Sequence, residues 1–175
     1  MNVNALPIDP SDRYVFFTDL WNEPWTDENA EVVRYTLFHD PEPSICSLCP
    51  QILSSWGDTP SRSGCRHRIC DTRNAFLRYI EAPLDFRVLN EVLTASGALG
   101  FGDDEMVNAI ATHICSTEYC VPLNVIDALN QLNNPTPTVL DALERATTIP
   151  NSYYADEMIR RTAAETLSKL REKYR

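Results

Sequence analysis

The sequence predicts a mainly α-helical protein: a compact bundle of short antiparallel helices with an irregular, zinc-stabilised N-terminal segment. Three observations carry this. Apolar residues recur at helical spacing through nearly all of the chain beyond Cys70. Pro122, Pro137 and Pro150 stand at helix-plus-turn intervals, near first turns where proline is tolerated. A Cys-x2-Cys pair and two further cysteines cluster before the helical part. The helical spacing is also that of a solenoid, but no segment repeats another.

Residues 1–12 carry two prolines and no periodicity and read as a flexible arm. Arg13-Tyr14-Val15-Phe16-Phe17 fits either a short strand or a first helical turn. Thr26 caps a helix with Asp27 and Glu28 in its first turn and Ala30, Val33, Leu37 and Phe38 on one face. It ends before Pro41, whose ring disfavours helical geometry in the preceding residue. Pro41, Pro43, Pro50 and Pro60 then punctuate an irregular stretch, so any β element falls within residues 13–70. Phe76, Leu77 and Ile80 form the inner face of the next helix, which ends near Pro83.

Leu84 to Ser96 is a further helix, with Leu89, Val92 and Leu93 inward and Gly97 and Gly100 breaking it. Asp103-Asp104-Glu105 opens another, its acids at the positive end of the dipole and Met106, Ile110 and Ile114 as its stripe. Three more follow. They are lined by Leu123, Ile126 and Leu129; by Leu140, Leu143 and Ala146; and by Met158, Ile159, Leu167, Leu170 and Tyr174. The division is an arm (1–12), an aromatic and zinc-binding segment (13–82) and a helical bundle (83–175) continuous with it.

At 175 residues, 43% hydrophobic with 5 Gly, the composition excludes a disordered chain and a collagen-like one. The net charge of −10 argues against a general phosphate-backbone binder. Residues 1–58 hold 10 acids and 2 bases, whereas residues 59–80 hold 5 Arg and 1 Asp. A basic island thus interrupts an acidic chain and coincides with the cysteines. The N-terminus has neither a basic region nor an apolar core of the secretory kind, which predicts a cytoplasmic or nuclear protein with reduced thiols. The longest uncharged stretch, 43–57, is too short to span a membrane.

The cysteines and histidines run Cys46-x2-Cys49, Cys65-x-His67-x2-Cys70, then His113-x-Cys115-x4-Cys120. Two thiolates from one tight turn at 46–49, with two ligands from the second cluster, predict a tetrahedral zinc ion. Cys65 and His67 compete for one place in that site. The late cluster, with whichever of them is left over, would supply a second ion. A closed, all-protein ligand set marks the zinc as structural, since catalytic zinc keeps an open position. The alternative is reduced cysteines packed as small apolar residues.

In order and spacing, Cys46, Cys49, Cys65, His67 and Cys70 resemble the first five ligands of a RING-type zinc domain. The resemblance implies two interleaved zinc ions and recruitment of a ubiquitin-conjugating enzyme. The chain departs from the pattern at Arg73, where the sixth ligand belongs, and at Cys115 and Cys120, which have four residues between them rather than two.

A cysteine hydrolase would use Cys46 or Cys49 at the start of a helix over Pro50 to Trp56, with His67 or His113 as base. Neither a P-loop nor a dinucleotide-binding glycine pattern is present in the sequence. Arg62, Arg66, Arg68, Arg73 and Arg78 form a candidate contact surface for carboxylates or phosphates. Trp21 and Trp25, beside Phe16 and Phe17, are candidate protein-interface anchors. The resulting expectation is a non-enzymatic, zinc-stabilised regulatory or adaptor protein that binds another protein. Its size and its 13 Arg against 2 Lys have parallels among viral accessory and host-modulating factors. An RNA-binding protein using the Arg62–Arg78 island and a divergent RING-like ligase are the alternatives. No membrane partner or small-molecule substrate is implied.

Overall fold

The computed structural model describes residues 6–57, 65–118, 120–149 and 154–173, with side chains except at 57, 65–69 and 154–155. The chain is mainly helical, and no strand occurs among the described residues. The helices are α1 (Pro10–Trp21), α2 (Asp27–His39), α3 (Pro43–Cys46), α4 (Leu48–Gly57), α5 (Cys65–Glu81), α6 (Phe86–Leu99), α7 (Asp104–Ala111), α8 (Val121–Leu132), α9 (Pro137–Thr147) and α10 (Tyr154–Lys173). Two compact units are distinguished along the chain, residues 1–95 and 96–175.

In the first unit, α1 settles the ambiguity at residues 13–17 in favour of helix. Asp9 is the N-cap, its carboxylate accepting from Ser11 N at 2.8 Å, and Pro10 occupies a first-turn position that has no intrahelical donor to lose. Residues 10–12, which the sequence analysis placed in a flexible arm, are therefore the first turn of α1. Arg13, Phe17 and Leu20, at i, i+4 and i+7, face inward. Helix α2 starts as expected, with Thr26 Oγ1 accepting from Asn29 N at 3.1 Å, and ends at His39 before the extended Asp40.

The stretch expected to be irregular is two helices. Pro43 sits in the first turn of α3 and Pro50 in that of α4, both places where a missing N–H breaks no helical bond. Prolines that read as loop punctuation thus start helices. Helix α4 packs against α1, α2, α3 and α5. Its Ile52, Leu53 and Trp56 join Phe17, Val33, Leu37, Phe76, Tyr79 and Ile80 in the core. Trp56 Nε1 donates to Glu23 O at 2.8 Å, and Trp25 meets the Trp56 ring edge-on at 5.4 Å. These two contacts fix the α1–α2 connection over α4.

Helix α6 begins at Phe86 rather than Leu84, because Asp85 takes the capping place, its carboxylate accepting from Arg87 N at 2.8 Å. It also runs through Gly97, which was expected to break it, and stops at Gly100, whose φ of +71° is left-handed. A Cβ on Gly97 would stand 2.9 Å from Gln131 Oε1 and 3.4 Å from Ala128 Cα. Gly97 therefore serves a close approach to α8.

In the second unit, α7 opens on Asp103, whose carboxylate accepts from Met106 N at 3.2 Å. Helices α7, α8, α9 and α10 pack together around Met106, Ile110, Ile114, Val125, Ile126, Leu129, Leu143 and Leu170. Asn134 Nδ2 donates to Gly102 O and to Asp104 Oδ1, both at 2.8 Å. That side chain ties the α8–α9 connection to the start of α7. Pro150, Tyr153 and Tyr174 lie outside the described residues.

Candidate functional site

The Cys46-Ser47-Leu48-Cys49-Pro50 segment is not the tight turn a zinc knuckle needs but the junction of α3 with α4. Cys46 is buried, and its thiol donates to Asp40 O at 3.4 Å and Thr36 O at 3.5 Å. Cys49 is completely buried and donates to Ile45 O at 3.7 Å. Burial, with the Asp40 carboxylate adding to it, pushes the Cys46 thiol up to about 11. Burial likewise raises the Cys49 thiol well above its ordinary value. Both thiols are packed in the core, an arrangement that fits reduced cysteines packed as small apolar residues.

For a nucleophile, the helix-start argument fails here for a physical reason. Cys49 does lie in the first turn of α4, but its thiol points back to a carbonyl in an apolar interior, and desolvation outweighs the helix dipole.

The other expected ligands are spread out. Cys65, His67 and Cys70 all belong to α5. The side chains of Cys65 and His67 lie outside the described residues; their positions, two residues apart on a helix, are on opposite sides of it. Cys70 is exposed. Arg73, where the RING pattern has a ligand, is half-buried and donates to Asn74 Oδ1 at 3.1 Å.

In the second unit His113 is half-buried just past α7, Cys115 is exposed, and Cys120 precedes α8 with a φ of 67°. Cys46, Cys49, Cys70, Cys115 and Cys120 are free thiols. Among the described residues no three His, Cys, Asp or Glu side chains converge to hold a metal ion. His39 is exposed and stacks flat on Tyr35, ring centroids 4.0 Å apart.

Of the expected arginine surface, the side chains of Arg62, Arg66 and Arg68 lie outside the described residues. Arg78 is exposed and places its guanidinium 4.7 Å from the centre of the Phe38 ring. Of the expected aromatic anchors, Trp25 packs on Trp56 and Phe17 is fully buried. Trp21 is 38% exposed at the end of α1.

Helix α1 is the element whose outer surface stands out. Tyr14 is 46% exposed and Val15 57% exposed. Tyr14, Thr18 and Trp21, at i, i+4 and i+7, form one line along the helix; Asp12, Val15 and Asp19 form the neighbouring line. On the first line the Thr18 hydroxyl is satisfied within the helix. Thr18 Oγ1 donates to Tyr14 O at 2.9 Å, and Asn22 Nδ2 donates to Thr18 O at 3.3 Å. Asp12, Asp19 and Glu23 are exposed, while the one base of α1, Arg13, is turned inward onto Asp40.

Trp21 was singled out in the sequence; Tyr14 and Val15 were not. Their signal is that they fall outside the Arg13, Phe17 and Leu20 stripe once the segment is known to be helical. No protein-family model matches the chain, and no curated protein is similar to it. No helix among the described residues is long and apolar enough to cross a membrane.

Proposed function

We propose that this chain is a non-enzymatic regulatory or adaptor protein that acts by binding another protein. The observation that carries the reading is the outer surface of α1, where Tyr14, Val15 and Trp21 are exposed on a helix whose opposite side is anchored in the core. Exposed aromatics two turns apart on one line of a helix suit an interface, where Trp and Tyr are favoured anchors. The Arg island supports an RNA-binding reading less well: of its described members, Arg78 is engaged on Phe38 and Arg73 on Asn74.

The test is affinity capture with the full chain from a cell extract, repeated with Tyr14→Ser/Trp21→Ser and with nuclease treatment. The reading requires a protein that is retained after nuclease and lost with the double variant. Recovery that disappears with nuclease would replace it with RNA binding.

A further inference from the structure

We infer that the outer face of α1 recognises a cationic, apolar-containing segment of the partner protein, one in which Lys or Arg alternates with Leu-like residues. The inference rests on the protein-binding reading above and adds the chemistry of what is bound. The apolar part of the recognition comes from Tyr14, Val15 and Trp21. Trp and Tyr faces at a surface also attract ammonium and guanidinium groups, which an aliphatic patch would not do.

The charge is equally one-sided. On α1, on α2 and between them, Asp12, Asp19, Glu23, Asp27 and Glu31 are exposed. Arg13 is buried against Asp40 and Arg34 is half-buried, so no Lys or Arg on these elements is exposed. Asp12 and Asp19 flank Val15 on one line of α1, and Glu23 follows Trp21. A ligand lying on the aromatic line therefore meets carboxylates at its side and at its end. Such a field steers cationic partners in and repels nucleic-acid phosphates and anionic lipid headgroups.

The probe is a synthetic amphipathic Lys/Leu peptide, with a Glu/Leu peptide of the same pattern as its twin, titrated into the isotope-labelled full chain and followed by amide chemical shifts. Saturable shifts on residues 12–23 with the Lys/Leu peptide alone are the expected result. Tyr14→Ser/Trp21→Ser should abolish them, and Asp12→Asn/Asp19→Asn should weaken binding roughly tenfold while leaving the circular dichroism melt unchanged.

Equal binding of both twins, or shifts confined to other helices, would overturn the inference. So would light scattering that shows a wild-type dimer dispersed by Trp21→Ser, which would make a second copy the occupant. Failure here with a nuclease-resistant protein still captured through Tyr14 and Trp21 removes only the cationic chemistry. Loss of that capture removes the protein-binding reading itself.

Discussion

Arg13 on α1 grips Asp40, just past α2, with two hydrogen bonds: Nε to Oδ2 at 2.9 Å and Nη2 to Oδ1 at 3.2 Å. Both side chains are nearly out of solvent. The third nitrogen of the fork, Nη1, donates to Ile8 O at 2.5 Å, and Asp40 Oδ1 also accepts from Glu42 N at 2.9 Å. One buried pair thus ties the segment before α1, the end of α2 and the start of α3. Its position explains how α1 offers an acidic outer surface although it contains a base.

Arg13→Met is expected to destabilise the protein by about 3–5 kcal/mol, because it strands the Asp40 carboxylate in a buried site. Arg13→Met/Asp40→Leu should recover most of that loss, since it removes both charges together. Urea denaturation of the two variants checks this; equal loss in both would mean that the backbone contacts of Nη1, rather than the ion pair, matter most.

Alkaline pH should weaken the fold in a defined window. The Cys46 thiol is raised from 9.0 to about 11 and the Tyr79 hydroxyl from 10.0 to about 12, burial leading in each case. Over that range the unfolded chain releases protons that the native chain keeps, so stability present below pH 9 is lost between roughly pH 9 and 12. Cys46→Ala should flatten the lower part of the slope, and urea midpoints at several pH values report it.

Thiol reactivity separates the cysteines by burial. Cys70 and Cys115 should react promptly with a disulfide reagent, whereas Cys46 and Cys49 should react only as the protein unfolds. Mass mapping of the labelled peptides, with and without EDTA, alongside zinc content by mass spectrometry, tests the thiol packing against the zinc expectation. Protection of Cys46 and Cys49 that is unchanged by EDTA bears out the packing. Protection lost on chelation, with stoichiometric zinc present beforehand, would overturn it.

The two glycines around the end of α6 should respond differently to alanine. Gly100→Ala forces a side chain into a left-handed conformation and should cost about 1–2 kcal/mol. Gly97→Ala meets chiefly the flexible end of Gln131 and gains up to about 1 kcal/mol of helix propensity, so its net effect is small. Gly97→Leu must displace the α8 backbone near Ala128 and should cost about 1–3 kcal/mol by overpacking. Thermal melts of the three variants give the order directly.

By itself the sequence determined the helical class and most of the inner faces, because helix spacing and capping act within a few residues of one another. Thr26, Asp103 and Pro137 start helices where their chemistry says they should, and Phe76, Ile80, Leu93, Met106, Ile110 and Leu143 are buried as their spacing requires. Tertiary structure alone decided three things. It turned Pro43 from a loop marker into a helix start and began the helix at Pro50 two residues earlier, at Leu48, since only packing shows whether a chain continues after a proline. It placed Cys46 and Cys49 in the core, where ligand-like spacing and core-like spacing coincide and desolvation raises both thiols. It sent Arg13 inward to Asp40, a residue 27 positions away, and so left the aromatic and acidic outer face of α1 without a base of its own.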